Sequence, residues 1–206
     1  MTALVVAAGS TPVAAQSAGS SLDPTIAAAD RGRITGSEKA TTWLLVVSDF
    51  QCPFCKQWHD QTWEAIRKEY VATGKIRVAF LNYPLSIHPN ARPAALYAMC
   101  ASADGKFWQV ADRLFATQNA WKDLRDPGPY FDGIVRAAGL NVEKIHACTT
   151  GPAIASMVDA DQRRMTRAGT MSTPTFYIGQ GKIEGAVPLA EFRQALDAAL
   201  RGARKP

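Results

Sequence analysis

The 206-residue sequence lacks a long apolar run, an internal repeat and a dense set of cysteines. No apolar stretch approaches the roughly 18 residues of a membrane-spanning helix. Four cysteines are too few to staple a small scaffold, so each needs its own interpretation. With 47% hydrophobic and 20% charged residues, the chain can bury a core without a disulfide framework. Its length suits one domain, with or without an insertion.

The sequence also lacks a concentrated patch of one charge. It has 23 Lys and Arg against 18 Asp and Glu, a formal net charge of +5. The densest basic clusters lie in residues 163–167 and 201–205. Solvated helix faces explain such clusters more simply than a nucleic-acid surface does, so we expect no nucleic-acid partner.

The first thirty residues contain no Lys or Arg and are rich in Ala, Ser, Gly and Thr. An apolar run at residues 3–8 is followed by Val13 and Ala15, small residues typical of a signal-peptidase site with cleavage after Ala15. We interpret residues 1–30 as a truncated signal peptide, with a disordered tail as the alternative. The folded domain is then residues 31–206, and we expect a periplasmic or otherwise extracytoplasmic protein.

Hydrophobic patterns predict the order of the secondary structure. Residues 40–50 form a continuous apolar run typical of a buried strand, a helix follows to about residue 70, and residues 75–83 alternate like a second strand. Helical patterns fill residues 88–168. Two short strands, at residues 175–178 and 182–184, and an amphipathic helix then complete the chain. The fold class is therefore α/β.

One apolar stripe in the helical region contains a charged residue. Ile154, Met157, Val158, Asp161 and Met165 recur at helical spacing. Such stripes belong to cores far more often than to cofactor sites, and we interpret this one as core.

Cys52-Pro53-Phe54-Cys55 directly follows the first predicted strand and opens the helix. A sulfur at a helix N-terminus meets unpaired backbone N–H groups and the positive end of the helix dipole, which favour its thiolate. Pro53 suits the first helical turn, and a step of three residues brings Cys55 to the same face. We therefore expect an exposed, reactive Cys52 and an inner Cys55 that closes a small disulfide with it.

Other interpretations of the two cysteines remain open. In the simplest alternative, Cys52 and Cys55 are structural thiols. Cys52, Cys55 and His59 also have metal-ligand spacing, but zinc requires a fourth ligand, and neither Cys100 nor Cys148 belongs to a second pair. We expect no metal. Covalent haem is not predicted, because Lys56 stands where its motif has histidine.

Three segments together resemble the DsbA-type thiol:disulfide oxidoreductases. They are "DFQCPFC", "HPNARPAALYAMCASADGKFW" and "TPTFYIGQGKIEGA", and the similarity covers roughly residues 34–199. The resemblance implies a thioredoxin fold with an inserted helical subdomain at about residues 86–168. It also implies that Pro174 is cis and packs beside the cysteines, so that the backbone of Thr173 pairs with an extended substrate.

The resemblance implies a function as well. Cys52 and Cys55 would exchange disulfides with exported proteins, and a membrane partner of the DsbB or VKOR type would reoxidise them. No organic cofactor is needed, because the sulfurs carry the electrons. We expect an oxidase. The alternatives are a disulfide reductase or isomerase, or a non-catalytic metal-binding thioredoxin-like module.

Two departures from the family's best-known oxidases concern the active site. Those oxidases have histidine where this chain has Phe54, and a buried acidic residue where it has Val46. Asp49 is the nearest carboxylate, and its direction is not predictable from the sequence. We expect Pro53 and Phe54 to tune the reactivity of Cys52, and the missing histidine favours a weaker oxidant.

Some relatives in this family carry an extra disulfide in the helical region. The resemblance therefore implies a structural disulfide between Cys100 and Cys148, the two cysteines outside the reactive pair. The alternative is two buried free thiols.

Overall fold

Strand β2 (Thr42–Ser48) lies in the middle of a five-stranded sheet because both of its faces are apolar. The computed structural model describes residues 23–203, so the predicted cleavage site after Ala15 lies outside the described residues. The sheet order is β1-β3-β2-β4-β5. The other strands are β1 (Ile34–Gly36), β3 (Ile76–Asn82), β4 (Thr175–Ile178) and β5 (Gly181–Glu184).

The pairing of the strands follows their connections. β2 and β3 are parallel, and the helical run between them provides the crossover that parallel strands require. β1 pairs with β3, β4 with β2 and β5 with β4, all antiparallel. This arrangement agrees with the predicted order of a β-α-β unit, a helical block and a β-β-α unit.

Ten helices surround the sheet in the described part of the chain. They are α1 (Pro24–Gly32), α2 (Pro53–Trp58), α3 (Glu64–Ile66), α4 (Ala91–Ala103), α5 (Phe107–Ala116), α6 (Gln118–Trp121), α7 (Gly128–Ala137), α8 (Val142–Thr150), α9 (Pro152–Arg167) and α10 (Leu189–Gly202). Helices α2 and α3 belong to one helical run that includes two π-helical segments, His59–Trp63 and Arg67–Val71. No helix within residues 23–203 has the length and apolar character needed to cross a bilayer.

The folded part of the chain begins before residue 31, which corrects the boundary predicted from composition. Helix α1 starts at Pro24, and the side chain of Asp23 caps it by accepting from the N–H of Thr25 at 2.8 Å. Ala29 is fully buried, and its carbonyl accepts a hydrogen bond from Ser102 on α4. The alanine-rich composition of this segment therefore reflects close helix packing.

The sheet separates two apolar layers. Leu44 and Val46 of β2 belong to the large core shared with most of the helices. Val47 belongs to a smaller cluster on the opposite face, with Leu81 of β3 and Met165 of α9. This burial on both faces explains why the strand appears in the sequence as a continuous apolar run.

Candidate active site

Cys52 is the N-cap residue of α2, and Pro53 occupies the first turn of that helix. β2 ends at Ser48, so only a short loop separates the strand from the helix. No side chain caps the helix. The backbone N–H groups of Phe54 and Cys55 are therefore free to donate to the sulfur of Cys52.

The surroundings of Cys52 stabilise its thiolate. The pKa of Cys52 is lowered from 9.0 to about 6, and a hydrogen bond from the thiol of Cys55 is the largest cause. The side chain of Thr173 and the N–H groups of Cys55 and Phe54 also contribute to this lowering, while burial opposes it. Cys52 thus has the electrostatic character of a nucleophile and of a good leaving group.

Cys55 is in the opposite situation. It is 1% exposed, and burial raises its pKa well above the ordinary value; the neighbouring Cys52 raises it further. The N–H of Asp49 donates to its sulfur at 3.5 Å. Both cysteines are free thiols in this structure. The two sulfurs of the motif therefore differ strongly in acidity.

Cys52 is less exposed than we expected. It is 3% exposed, whereas Phe54 is 60% exposed and is the accessible residue of the motif. The cause is the segment that precedes β4: the thiol of Cys52 donates to the carbonyl of Thr173 at 3.3 Å. The expectation of an exposed Cys52 sulfur is wrong for this state of the protein.

The Thr173-Pro174 peptide bond is cis, and this segment lies against Cys52. The hydroxyl of Thr173 is buried and has no hydrogen-bond partner among residues 23–203. Deprotonation of Cys52 removes the S–H that donates to the Thr173 carbonyl and creates an acceptor for the Thr173 hydroxyl. The structure thus brings together Cys52, Cys55, Thr173 and Pro174, although Thr173 follows Cys52 by 121 positions.

Asp49 is the main hydrogen-bond acceptor in the active-site loop, which is residues 49–52 between β2 and α2. Its Oδ1 accepts from the N–H groups of Gln51 and Cys52 at 2.7 and 3.2 Å. Its Oδ2 accepts from the N–H of Leu85 at 2.9 Å and from Nδ1 of His88 at 2.7 Å. An aspartate just after a buried strand signals such a turn in the sequence. His88 gives no comparable signal, because its role depends on contact with Asp49.

The helical block, which comprises α4 to α9, also contacts the active-site loop. Gln118 is buried, and its Nε2 donates to the carbonyls of Phe50 and Cys52 at 2.7 and 3.0 Å. Gln51 donates to the carbonyl of Lys122 at 2.7 Å. The helical block is therefore part of the support for Cys52, and sequence reasoning missed Gln118 because its contact crosses 66 positions.

The second pair of cysteines lies in the helical block. Cys100 of α4 and Cys148 of α8 form a disulfide with a Cα–Cα distance of 5.9 Å. It joins two helices of the block, whereas Cys52 and Cys55 occupy the junction between β2 and α2.

His59 does not form a ligand cluster with the two reactive cysteines. Its Nε2 lies 2.9 Å from Asp112 Oδ1, and its ring stacks on Phe115 with centroids 4.9 Å apart. Within residues 23–203, no three His, Cys, Asp or Glu side chains group as metal ligands would.

The sequence is similar to a thioredoxin family model and to proteins of two kinds. A family model described as Thioredoxin matches residues 28–198. Disulfide bond formation protein D of Bacillus subtilis is 22% identical over 173 residues, which are 82% of this chain and 77% of that protein. The Na(+)/H(+) antiporter NhaA of Herminiimonas arsenicoxydans is 27% identical over 171 residues. The alignment covers 83% of this chain and 26% of the antiporter, so the chain spans about a quarter of the length of that relative.

Solved structures have the same fold. Wolbachia pipientis alpha-DsbA1 superposes with a TM-score of 0.74 at 19% identity, covering 83% of this chain and 92% of that one. Oxidised BdbD from Bacillus subtilis also gives a TM-score of 0.74, at 21% identity, covering 84% of this chain and 95% of that one. The predicted thioredoxin fold with inserted helices is confirmed.

Proposed function

Because the chain belongs to the thioredoxin family, with residues 28–198 matching its model, we propose that it is a thiol:disulfide oxidoreductase acting on exported proteins. The observation that carries this proposal is the asymmetry of the two sulfurs. The pKa of Cys52 is lowered to about 6, and the pKa of Cys55 is raised by burial. One sulfur therefore reacts with partners and the other resolves.

In the oxidising direction, a substrate thiolate attacks Cys52 of the Cys52–Cys55 disulfide. The disulfide breaks, Cys55 leaves and takes up a proton, and a mixed disulfide joins Cys52 to the substrate. A second substrate thiolate then attacks the substrate's own sulfur in this bond, and Cys52 leaves as a thiolate. The substrate loses two electrons, and the enzyme gains them. The low pKa of Cys52 makes it a good leaving group in the last step.

The lowered pKa of Cys52 also supports an oxidase over a reductase or isomerase. A stabilised thiolate stabilises the reduced enzyme, which makes the disulfide form a stronger oxidant. The reduced enzyme must then be reoxidised by a membrane partner with a quinone-linked disulfide, of the DsbB or VKOR type. The disulfide between Cys100 and Cys148 supports an oxidising compartment, because cytosolic proteins rarely hold structural disulfides.

The exposed apolar side chains support an extended polypeptide as the substrate. Phe54 in the motif is 60% exposed, and Met171, which precedes Thr173, is 87% exposed. Ile87 and Leu124 are also exposed, and they line a groove of about 560 Å³ that includes Pro53. Unfolded chains present apolar side chains to such surfaces, whereas folded proteins bury them. Thr173 and Pro174 would bind the backbone of the substrate polypeptide beside Cys52.

Trapping of mixed disulfides tests the proposal. Cys55→Ser should accumulate adducts with unfolded proteins that carry a disulfide, because the Cys52 thiolate attacks that disulfide, one substrate sulfur leaves as a thiolate, and no resolving sulfur is present to release the adduct. Cys52→Ser should accumulate none. The paired Cys100→Ser/Cys148→Ser variant, in which the reactive pair is intact, serves as the control. Equal trapping by the two single variants would overturn the assignment of Cys52 as the nucleophile.

Metal titration tests the rival, a non-catalytic metal-binding module. Anaerobic copper or zinc should bind the reduced protein weakly and leave peptide thiol exchange unchanged. Tight, stoichiometric binding that abolishes exchange would favour the rival.

A further inference from the structure

A small cavity lies near α5 and is lined in part by Ser48, the last residue of β2. It has a volume of about 10 Å³ and lies between β2, the helical run that starts at Pro53, and α5. Ser48, His59 and Asp112 contribute polar groups to its lining, together with three tryptophans. This volume is near the lower limit for one water molecule, roughly 10–15 Å³.

All three tryptophans that line the cavity have an unpaired indole N–H. The Nε1 atoms of Trp58, Trp63 and Trp108 are buried and have no hydrogen-bond partner in the described part of the chain. Trp58 and Trp63 are 5% and 2% exposed. Trp121, outside the cavity, is different: it is fully buried, and its N–H donates to the carbonyl of Leu114 at 2.9 Å. Unpaired buried donors are uncommon, and a bound water is their usual partner.

The cavity connects two groups that handle protons. On the inner side, the side chain of Ser48 neighbours the Cys55 sulfur and lowers the pKa of Cys55. On the outer side, His59 Nε2 lies 2.9 Å from Asp112 Oδ1, and the side chain of Asp112 is 32% exposed.

Charged neighbours surround the outer pair. Arg67 lies 3.1 Å from Asp112, and Asp60 lies 3.5 Å from His59 Nδ1. Asp60 in turn pairs with Lys56 at 2.7 Å, and Arg67 pairs with Glu64. The outer end of the cavity therefore meets a solvated network of both signs of charge, to which a proton can pass.

We propose that this cavity binds one water molecule and that this water, between Ser48 and the His59–Asp112 pair, conducts the proton of Cys55 to and from solvent. The proposal deepens the proposed function and rests on it. The ligand class is water, because the cavity is about the size of one water molecule and its lining offers unpaired indole N–H donors together with the oxygens of Ser48 and Asp112.

The proton path serves the resolving step. The Cys55 thiol passes its proton to Ser48, Ser48 passes its own to the water, and the water passes one to Asp112 and then to solvent. The Cys55 thiolate attacks the sulfur of Cys52 in the mixed disulfide, and the bond from Cys52 to the partner sulfur breaks. The partner leaves as a thiolate, reduced by two electrons, and the Cys52–Cys55 pair is oxidised.

The surroundings of Cys55 show why such a path is needed. Its pKa is raised by burial, so at neutral pH it is a thiol that must lose a proton before it attacks. The neighbours that influence this pKa are Cys52, Ser48 and the N–H of Asp49, and none of them carries a carboxylate or an imidazole that could pass the proton to solvent. Val46, where the family's best-known oxidases have an acid, contributes only an apolar side chain to the cavity.

Water contact with the indoles is the direct test. In the reduced protein with ¹⁵N-labelled tryptophan, the Hε1 signals of Trp58 and Trp63 should show cross-peaks to a long-lived water. Trp121 is the internal control and should show none, because its N–H is buried and bonded to Leu114. Absence of these cross-peaks at Trp58, Trp63 and Trp108 would overturn the water site.

Kinetics test conduction of the proton. The Cys52–glutathione adduct is prepared by rapid mixing with oxidised glutathione, and its resolution by Cys55 is followed at pH 7. Ser48→Ala should slow resolution roughly tenfold, at the lower end of the loss expected for a proton-transfer group, and Ser48→Thr should restore it. Asp112→Asn should slow it severalfold, and the wild-type solvent isotope effect should fall in both slowed variants.

Matched controls separate conduction from structure and from the proposed function. Asp159→Asn makes the same change at a surface aspartate that pairs with Arg92 and does not line the cavity, and resolution should be unchanged. Alkylation of Cys52 should proceed at the wild-type rate in every variant. Wild-type resolution in both Ser48→Ala and Asp112→Asn would overturn the relay. Because the adduct forms with glutathione, failure to act on proteins would overturn only the proposed function.

Discussion

The carboxylate of Asp49 accepts from Nδ1 of His88 at 2.7 Å, although 39 positions separate the two residues. The same carboxylate accepts the N–H of Cys52 at 3.2 Å. Asp49 thus joins the loop after β3 to the loop that positions the reactive sulfur. Because this carboxylate is fully buried, its hydrogen bonds compensate for the loss of hydration.

Asp49→Ala should therefore be strongly destabilising. It leaves two buried and two partly buried donors without their acceptor, and unsatisfied buried groups cost about 1–3 kcal/mol each, not additively. We expect a loss of about 3 kcal/mol or more in the free energy of unfolding, measured with urea. His88→Ala removes one of the four donors and should cost less. Asp60→Ala, at a residue paired on the surface with Lys56, should change stability by less than about 1 kcal/mol.

The acidity of Cys52 predicts how the stability of the reduced protein depends on pH. Its folded pKa of about 6 lies below the ordinary value of 9.0. Because the unfolded state binds more protons between these values, stability should rise as pH increases from about 6 to 9 and fall as pH decreases through 6.

Urea midpoints of the reduced protein at several pH values, and thiolate absorbance at 240 nm, measure this dependence. Cys52→Ser should remove most of the rise. Cys55 acts in the opposite sense, because its raised pKa costs stability above pH 9. A stability that is flat from pH 6 to 9 in the wild type would contradict the low pKa of Cys52.

The aromatic residue between the cysteines should set the oxidising strength. The side chain of Phe54 offers no hydrogen-bond donor to the thiolate, so we expect a reduction potential between about −120 mV and about −230 mV. Phe54→His should raise the potential by stabilising the reduced form, and Phe54→Leu should leave it nearly unchanged. Equilibration with glutathione measures the reduction potentials of the wild type and of both variants. A wild-type value near −270 mV would instead indicate a reductase.

The hydroxyl of Thr173 is buried beside Cys52 and has no hydrogen-bond partner among the described residues. Thr173→Val keeps the shape of the side chain and removes the donor, so the pKa of Cys52 should rise above 6 and the potential should fall. The control is Thr175→Val, since that hydroxyl donates to the carbonyl of Ser172 at 2.7 Å. An unchanged Cys52 pKa in Thr173→Val would remove this hydroxyl from the site.

Local features of the site could be predicted from the sequence, and contacts across long separations could not. The N-cap position of Cys52 follows from a buried strand that ends just before a helix. The support from Gln118 depends on how the helical block docks. Asp161 was predicted to lie on an apolar stripe, and it is buried there, but as the partner of Arg33 and of the N–H of Asn82. Nothing in the local pattern identifies a partner 128 positions away.

The disulfide between Cys100 and Cys148 should supply stability without taking part in exchange. It closes a loop of 48 positions, which on the chain-entropy model contributes about 4 kcal/mol. Cys100→Ser/Cys148→Ser should therefore lower the free energy of unfolding by about that amount while Cys52 keeps its alkylation rate. Thiol counting on denatured Cys52→Ser/Cys55→Ser protein, purified from an oxidising compartment, should detect no free thiol. Two free thiols, with a melting temperature that reductant leaves unchanged, would show that the pair is reduced and would also weaken the argument for export.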